Sequence, residues 1–244
     1  MWLSTFIQRV VSRAMTARSS SATTELPDLT PGVTLVDIET DLGVTPVQTL
    51  LVDRLLATGA DAYWVDGTGA ARTSRLRELV PHRRHLNRVH IARGFTAYQH
   101  TSLIDRLSGR LDKPPAVILA TGVDRLYRDG DIPTERGREM QVRALASLAR
   151  VARIHDVPVL ITRIREDDFS TPLANAATTH LQCRSTPFGP RFEDAAGETQ
   201  TLVYYMGDGW MQTTLSYWQE VLEHRARMHE VSTIDHAAGA AGGR

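Results

Sequence analysis

The chain has almost no lysine and almost no cysteine. Of its 28 basic residues only Lys113 is a lysine, and Cys183 is the single cysteine. A lone cysteine excludes an intrachain disulfide and favours a reducing, cytoplasmic environment, so we expect Cys183 to be a small core residue rather than a reactive thiol. No run approaches the roughly 20 apolar residues that cross a membrane, so the sequence also predicts no membrane span.

An excess of charge of either sign is absent too. The 28 basic residues balance 28 acidic ones, and the formal net charge is zero. A balanced chain produces no overall field that attracts nucleic acid, so any basic surface must be local. With 42% hydrophobic and 23% charged residues over 244 positions, the composition is that of a globular protein with room for one substantial domain.

The chain is organised around residues 33–53, VTLVDIETDLGVTPVQTLLVD. The apolar run from Val33 to Ile38 predicts a buried strand, and a helix is predicted from about Pro46. Free backbone N–H groups converge where a strand leads through a turn into a helix, which is where α/β proteins bind phosphates. The phosphate-binding turn reads G-x-x-x-x-G-K-[ST]. In the frame that begins at Ile38, the second glycine is Gly43 and the final threonine is Thr45.

Other positions of that frame lack phosphate-binding chemistry. Ile38 replaces the first glycine, Val44 replaces the lysine, and Glu39 and Asp41 add negative charge where a triphosphate needs positive charge. The only lysine of the chain lies far away, at residue 113. We therefore expect no cofactor, with ATP and Mg²⁺ bound only under the enzyme alternative given below.

Strands and helices alternate along most of the chain. The periodicity predicts strands at 33–38, 61–66, 89–93, 116–120 and 157–162, helices at 46–58, 74–80, 98–111 and 139–155, and a charged loop at 128–138. Short strands are then predicted at 177–184, 191–193, 199–205 and 211–213, with a last helix at 215–229. This order predicts an α/β fold with a mostly parallel wound sheet, helices on both faces and a strand-rich C-terminal end.

The two ends of the chain differ from this pattern. We predict an amphipathic N-terminal segment with a Ser/Thr-rich linker at 1–28, one domain at 29–230 and a flexible tail at 231–244. The first segment is interpreted as a docking helix. A surface-seeking amphipathic helix, a transit-like sequence and a translation start at Met15 rather than Met1 are the alternatives.

Several stretches, in their order, resemble the RecA/RadA recombinase family. Residues 86–96, LNRVHIARGFT, followed by Gln99 and His100, look like a strand and helix of RadA. Residues 67–76, GTGAARTSRL, are similar to the family's turn after its second strand, and 174–180, ANAATTH, resemble the segment that closes its second DNA-binding loop. The resemblance implies a RecA-like P-loop NTPase core in a degenerate, shortened, archaeal-type RadA paralogue.

The same resemblance implies that each catalytic position has been lost. The family's phosphate-binding lysine corresponds to Val44, its Mg²⁺-holding acidic residue to Ala120 and its water-activating glutamate to Thr68. The polar pair that senses the γ-phosphate corresponds to Arg163 and Ile164. Phosphoryl transfer depends on positioning and charge neutralisation, so these losses together imply a protein without ATP hydrolysis.

The polar residues that remain are interpreted as structural. Gly43 and Thr45 fit ordinary helix capping better than nucleotide contact, because a Thr-Pro pair is a common helix start. Asp37, Asp66 and Asp124 have no convincing ligand spacing, so no metal site is predicted.

In the family, the loops after the fourth and fifth strands contact single-stranded DNA. By resemblance, Arg128, Arg136 and Arg138 on the first loop, with Arg163 and Arg165 on the second, are candidate phosphate contacts. Acidic residues interleave with them in both loops, so solvated loop charge is an equally open interpretation.

We therefore expect a non-catalytic accessory protein of DNA repair or homologous recombination. It would bind a RecA/RadA-type recombinase, a paralogue or a second copy of itself, and single-stranded DNA. Two alternatives stay open: a DNA-dependent ATPase, active alone or completed by a partner's residues, and a regulatory scaffold with no DNA role.

Overall fold

One seven-stranded sheet forms the centre of the protein. The computed structural model describes residues 26–128, 131–186 and 189–194, together with 222–223 and 226–227. The strands are β1 (Gly32–Ile38), β2 (Ala62–Asp66), β3 (Val89–Arg93), β4 (Val117–Thr121), β5 (Pro158–Ile161), β6 (Thr179–Thr186) and β7 (Gly189–Asp194). Their order is β3-β2-β4-β5-β1-β6-β7. All neighbouring pairs are parallel except β6 and β7, which form an antiparallel hairpin. The predicted mostly parallel α/β sheet is confirmed.

Helices cover both faces of this sheet, as predicted. Within the described residues they are α1 (Thr45–Thr58), α2 (Thr73–Leu79), α3 (Ala97–Leu107), α4 (Thr134–His155) and α5 (Thr171–Ala176), with 3₁₀ turns at Thr40–Leu42, Arg83–Arg88, Ser108–Arg110 and Leu126–Arg128. The first two helices pack in one apolar core and the other three in a second core. In β4, Val117 and Leu119 belong to the first core, whereas Ile118 and Ala120 belong to the second. A strand covered on both faces needs a continuous apolar run, which explains the sequence VILA.

The predicted charged loop at 128–138 is partly wrong, because α4 begins at Thr134 rather than at residue 139. Gly137 suggested a loop, yet it lies in the first turns of this helix and is buried. A Cβ atom on Gly137 would overlap the carbonyl oxygen of Tyr127. Glycine is present because the preceding 3₁₀ turn approaches the helix closely, a tertiary contact that local propensity does not reveal.

Smaller differences occur towards the C-terminus. The sequence did not predict α5. Strand β6 has the predicted length but begins and ends two residues later than the strand predicted at 177–184, and β7 is longer than the strand predicted at 191–193. The strands predicted at 199–205 and 211–213, residues 1–25 of the N-terminal segment and the tail lie outside the described residues. The four described residues between 222 and 227 are helical, in agreement with the predicted last helix, and Leu222 is buried in the core with α1.

Two predictions about individual features can be compared directly with the structure. Cys183 lies on β6 with no exposed surface, which confirms that it is a core residue, and burial raises the pKa of its thiol. In the part of the chain that the structure describes, no helix is both long and apolar enough to span a bilayer.

The parallel strands bring one set of loops together. Because β1 to β6 run in the same direction, their carboxyl ends lie at one edge of the sheet. Ligands of open α/β sheets bind at this edge, so the candidate functional residues are found there.

Candidate functional site

The turn between β1 and α1 is folded upon itself. It contains the 3₁₀ helix Thr40–Leu42, in which the N–H of Leu42 donates to the carbonyl oxygen of Glu39 (3.0 Å). The N–H of Gly43 donates back into the same turn (3.4 Å), and that of Glu39 donates to the carbonyl oxygen of Cys183 on β6 (3.0 Å). These N–H groups bond within the protein, whereas a phosphate-binding turn keeps such groups free for its ligand.

Apolar side chains hold the turn in this conformation. Leu42 is buried, and the partly buried Ile38 and Val44 pack against the same core. The Glu39 carboxylate accepts a hydrogen bond from the N–H of Ser185 (2.7 Å) and so joins the turn to β6. Ile38 and Val44, which the resemblance places at the family's glycine and lysine positions, therefore contribute packing to this turn.

The start of α1 differs in one detail from the sequence-based interpretation. The helix begins at Thr45, and its N-cap residue is Val44, which has no hydrogen-bonding side chain. The prediction that Thr45 caps the helix is therefore wrong. Pro46 occupies the first turn as expected, since this position needs no N–H donor. Gly43 has a φ of 57°, a conformation that suits glycine and lets the chain turn into the helix.

Asp66, at the end of β2, anchors the next loop. Its side chain has no exposed surface. Oδ1 accepts hydrogen bonds from the N–H groups of Thr68 (2.9 Å) and Gly69 (3.1 Å) and from the hydroxyls of Thr68 (2.8 Å) and Thr121 (3.1 Å). Oδ2 accepts from the N–H of Ala71 (2.9 Å). Thr68, at the family's glutamate position, thus directs its hydroxyl towards this buried carboxylate.

Arg93, at the end of β3, balances the charge of Asp66. Its Nε lies 3.2 Å from Asp66 Oδ2, and its Nη2 donates to the carbonyl oxygen of Ala71 (2.6 Å). Burial acts to raise the pKa of Asp66, but the hydrogen bonds from Ala71, Thr68 and Arg93 outweigh it, and the pKa is lowered. Asp66 is therefore an ionised structural group.

Ala120, which the resemblance places at the family's Mg²⁺-ligand position, is buried in the core. Thr121 next to it donates its hydroxyl to Asp66. Asp124 is buried as well, and its carboxylate accepts from the N–H of Ile164 (2.8 Å) and from Arg128 Nε (2.8 Å). Among the described residues, no group of three or more His, Cys, Asp or Glu side chains is arranged to hold a metal ion.

Two of the five candidate DNA-binding arginines are enclosed by carboxylates. Arg128 is 12% exposed, binds Asp124, and makes a bidentate pair with Asp167. Arg163 is 7% exposed and makes a bidentate pair with Asp37 (2.8 and 2.7 Å). In both cases the pairing raises the arginine pKa despite burial, so each guanidinium is a charged and occupied group. Neither faces solvent as a phosphate contact would.

The other three candidate arginines are more accessible. Arg136 and Arg165 have 55% and 68% of their side chains exposed and pair with Glu139 and Asp167, respectively. Arg138 is half-buried, donates to the carbonyl oxygen of Asp168 (3.3 Å) and lies over the ring of Phe169. Arg136 and Arg138 lie in the first turns of α4, and Arg165 lies in the loop after β5. Solvent-exposed ion pairs such as those of Arg136 and Arg165 are easily exchanged for other anions.

A buried histidine lies behind the same edge of the sheet. His100 Nδ1 is 2.9 Å from the Tyr127 hydroxyl, which is 3.1 Å from Thr101 Oγ1. Burial lowers the pKa of His100 to about 4 and raises that of Tyr127 to about 12. Both side chains are therefore neutral at pH 7, which suits a packed network better than proton transfer.

One cluster at this edge was not predicted from the sequence. Arg93 and Arg125, separated by more than thirty residues, line a common cavity with Phe95 and the turn after β2. Arg93 and Phe95 belong to the stretch that carried the family resemblance, but pattern alone assigns them no joint role. Their proximity arises from the pairing of β2 with both β3 and β4.

Comparison with known proteins adds no further information about this site, because no protein-family model and no curated protein sequence matches the chain. The function is therefore argued from the geometry described above and from the sequence resemblance.

Proposed function

We propose that this chain is a RecA/RadA-like protein without ATP hydrolysis that acts as an accessory factor in DNA repair or homologous recombination. The observation that carries the non-catalytic part is the folded turn between β1 and α1. The N–H groups of Glu39, Leu42 and Gly43 bond internally, and the apolar side chains of Ile38, Leu42 and Val44 pack into or against the core. A triphosphate would have to break these contacts before it could bind. The RecA-like P-loop ancestry is part of the proposal. It is supported by the quoted motifs and by the parallel arrangement of β1, β2, β4 and β5, whose carboxyl ends lie together at one edge of the sheet.

A domain that binds no nucleotide can still bind a partner protein through an edge strand of its sheet. Among the described residues the strand β3 pairs with β2 alone, and its other side offers an edge of the kind to which a further strand adds. We infer that a recombinase, a paralogue or a second copy of the chain docks at an edge of this kind. Affinity purification of the full chain from its native cell tests this directly. Recovery of a recombinase supports the proposal, whereas partners unrelated to DNA support the regulatory-scaffold alternative.

We expect calorimetry to give a Kd for Mg-ATP above about 1 mM for both the wild-type chain and the Val44→Lys variant. The corresponding binding free energy is weaker than about 4 kcal/mol in magnitude. A new lysine leaves the turn folded and Glu39 and Asp41 in place, so it restores only one part of a phosphate site. Val142→Lys is the matched control, because Val142 is an exposed valine on α4.

Micromolar binding by the wild type, or by Val44→Lys but not Val142→Lys, would contradict this prediction. Phosphate release in the presence of single-stranded DNA covers the enzyme alternative. DNA-stimulated turnover that disappears in Thr45→Ala would favour an ATPase of unusual configuration.

Weak binding of single-stranded DNA is the second part of the proposal, and Arg136, Arg138 and Arg165 are the residues that support it. Each phosphate contact to a single strand adds about 0.7 to the slope of log K against log salt concentration. We expect the triple change of these residues to glutamine to lower the slope by about 2 in fluorescence anisotropy titrations. The triple change of the exposed Arg77, Arg106 and Arg110 removes the same charge elsewhere and serves as control. Equal slopes for the two variants would mean that Arg136, Arg138 and Arg165 are solvated loop charges and not specific DNA contacts.

A further inference from the structure

A cavity of about 360 Å³ opens at the carboxyl ends of β2 and β3, beside the turn that follows β4. Its walls include Arg93, Arg125, Phe95 and the glycines 67, 69 and 94. It is distinct from the turn after β1, because β4 and β5 lie between β2 and β1. Three strand spacings separate them, which is roughly 14 Å. Its volume lies within the range of small-molecule sites.

The charge of the cavity wall is positive. Arg125 Nη1 donates to the carbonyl oxygens of Gly67 (3.4 Å) and Thr68 (3.1 Å), which carry no net charge. Arg93 bonds to Asp66, the only carboxylate that contacts either guanidinium within the described residues. Two guanidinium cations against one carboxylate leave one positive charge uncompensated, and 37% of the Arg93 side chain is exposed to receive a ligand.

The glycines fix the shape of the wall. A Cβ atom on Gly94 would lie 2.9 Å from the Cα atom of His100, and one on Gly67 would lie 3.2 Å from the carbonyl oxygens of Thr121 and Gly122. A side chain at Gly94 would therefore displace its neighbours and one at Gly67 would be tightly packed, so glycine lets the backbone of the wall pack closely against the residues behind the cavity.

An exposed aromatic side chain completes the site. Phe95 is 70% exposed, whereas large apolar side chains are usually covered. Its backbone N–H donates to Gln99 Oε1 (3.0 Å) at the start of α3, which holds the residue in position. Phe95 lines the positively charged cavity, and its exposed ring offers a flat face to a planar ligand.

We propose that this cavity binds an oxyanion, a phosphate or a carboxylate, that is carried on a planar ring. Arg125 and Arg93 hold the oxyanion, because guanidinium groups match the geometry of both anions, and Phe95 stacks on the ring. This site goes beyond the proposed accessory function and does not depend on it, since neither a recombinase partner nor a DNA strand is needed for the site to exist.

Calorimetry on the full chain with phenyl phosphate, benzoate and inorganic phosphate tests the proposal. We expect a ring-bearing probe to bind more tightly than inorganic phosphate, and the comparison of phenyl phosphate with benzoate identifies the preferred anion. Arg125→Gln is expected to weaken the preferred probe at least tenfold, since one charge-assisted contact is lost. Arg77→Gln removes an exposed arginine outside the cavity and should leave binding unchanged.

A second variant separates the two halves of the site. Phe95→Ala should reduce the affinity for the preferred ring-bearing probe to that for inorganic phosphate, and leave inorganic phosphate itself unchanged. This variant also decides the question if Arg125→Gln fails to fold, because an exposed side chain contributes little to stability. The absence of saturable binding of every probe, equal losses in Arg125→Gln and Arg77→Gln, or full affinity for the ring-bearing probe in Phe95→Ala would each overturn the proposal.

Discussion

Replacement of Asp66 by asparagine is expected to lower the free energy of unfolding by about 3 kcal/mol. The carboxylate is wholly buried and accepts hydrogen bonds from the turn after β2, from Thr121 and from Arg93. An asparagine side chain turns an NH₂ group towards some of these donors and leaves the Arg93 charge without its partner. Urea denaturation followed by circular dichroism measures the loss.

Asp61→Asn is the matched control, because Asp61 is 47% exposed and its pairs with His90 and Arg88 are open to water. We expect this change to cost less than about 1 kcal/mol. Equal losses for the two variants would contradict the role assigned to Asp66.

The acid dependence of the Asp66 contribution has a definite sign. The folded protein lowers the pKa of Asp66. The stabilisation is therefore fully present above the unfolded pKa, near 4, and is lost as the pH falls through the lower folded pKa. The difference between wild type and Asp66→Asn should accordingly be largest near neutral pH and shrink in strong acid.

Arg128→Met is expected to lower the free energy of unfolding by about 3 kcal/mol, because it leaves the buried Asp124 without its countercharge. Methionine keeps an apolar stem near the Phe169 ring, over which the guanidinium lies at 4.6 Å. The same change removes the main hydrogen bond by which Arg128 lowers the pKa of Asp167. Urea denaturation at neutral pH measures the effect.

Arg143→Met is the control for this substitution. Arg143 also pairs with an aspartate, Asp105, but 71% of its side chain is exposed, so the change should cost at most about 0.5 kcal/mol. A small effect of Arg128→Met, similar to that of the control, would mean that Arg128 is a surface charge after all. In that case Arg128 would again be a candidate residue for DNA binding.

The sequence was sufficient for the alternation of strands and helices. Strand β3 was predicted at 89–93 and lies there, and the run VTLVDI was recognised as a buried strand. Such predictions succeed because the period of apolar residues reports which face of an element is covered, and this is a local property. The resemblance implies charged residues at the positions of Val44, Thr68 and Ala120, and this prediction was made from residue types alone.

The accessibility of charged residues could not be predicted in this way. Arg163 and Asp37 are separated by 126 positions, and they meet only because β5 lies next to β1 in the sheet. From the sequence, Arg128 and Arg136 were equivalent loop charges, yet one is enclosed by two aspartates and the other is largely exposed.

The sequence by itself determined that this is an α/β chain and that the turn between β1 and α1 lacks the lysine of a phosphate-binding turn. Only the tertiary structure decided that the turn folds on itself, that two of the arginines are enclosed, and that Arg93, Arg125 and Phe95 share one cavity. The physical reason is that hydrophobic periodicity acts between residues close in sequence. Ion pairs and cavities depend on the order of the strands, which brings distant residues together.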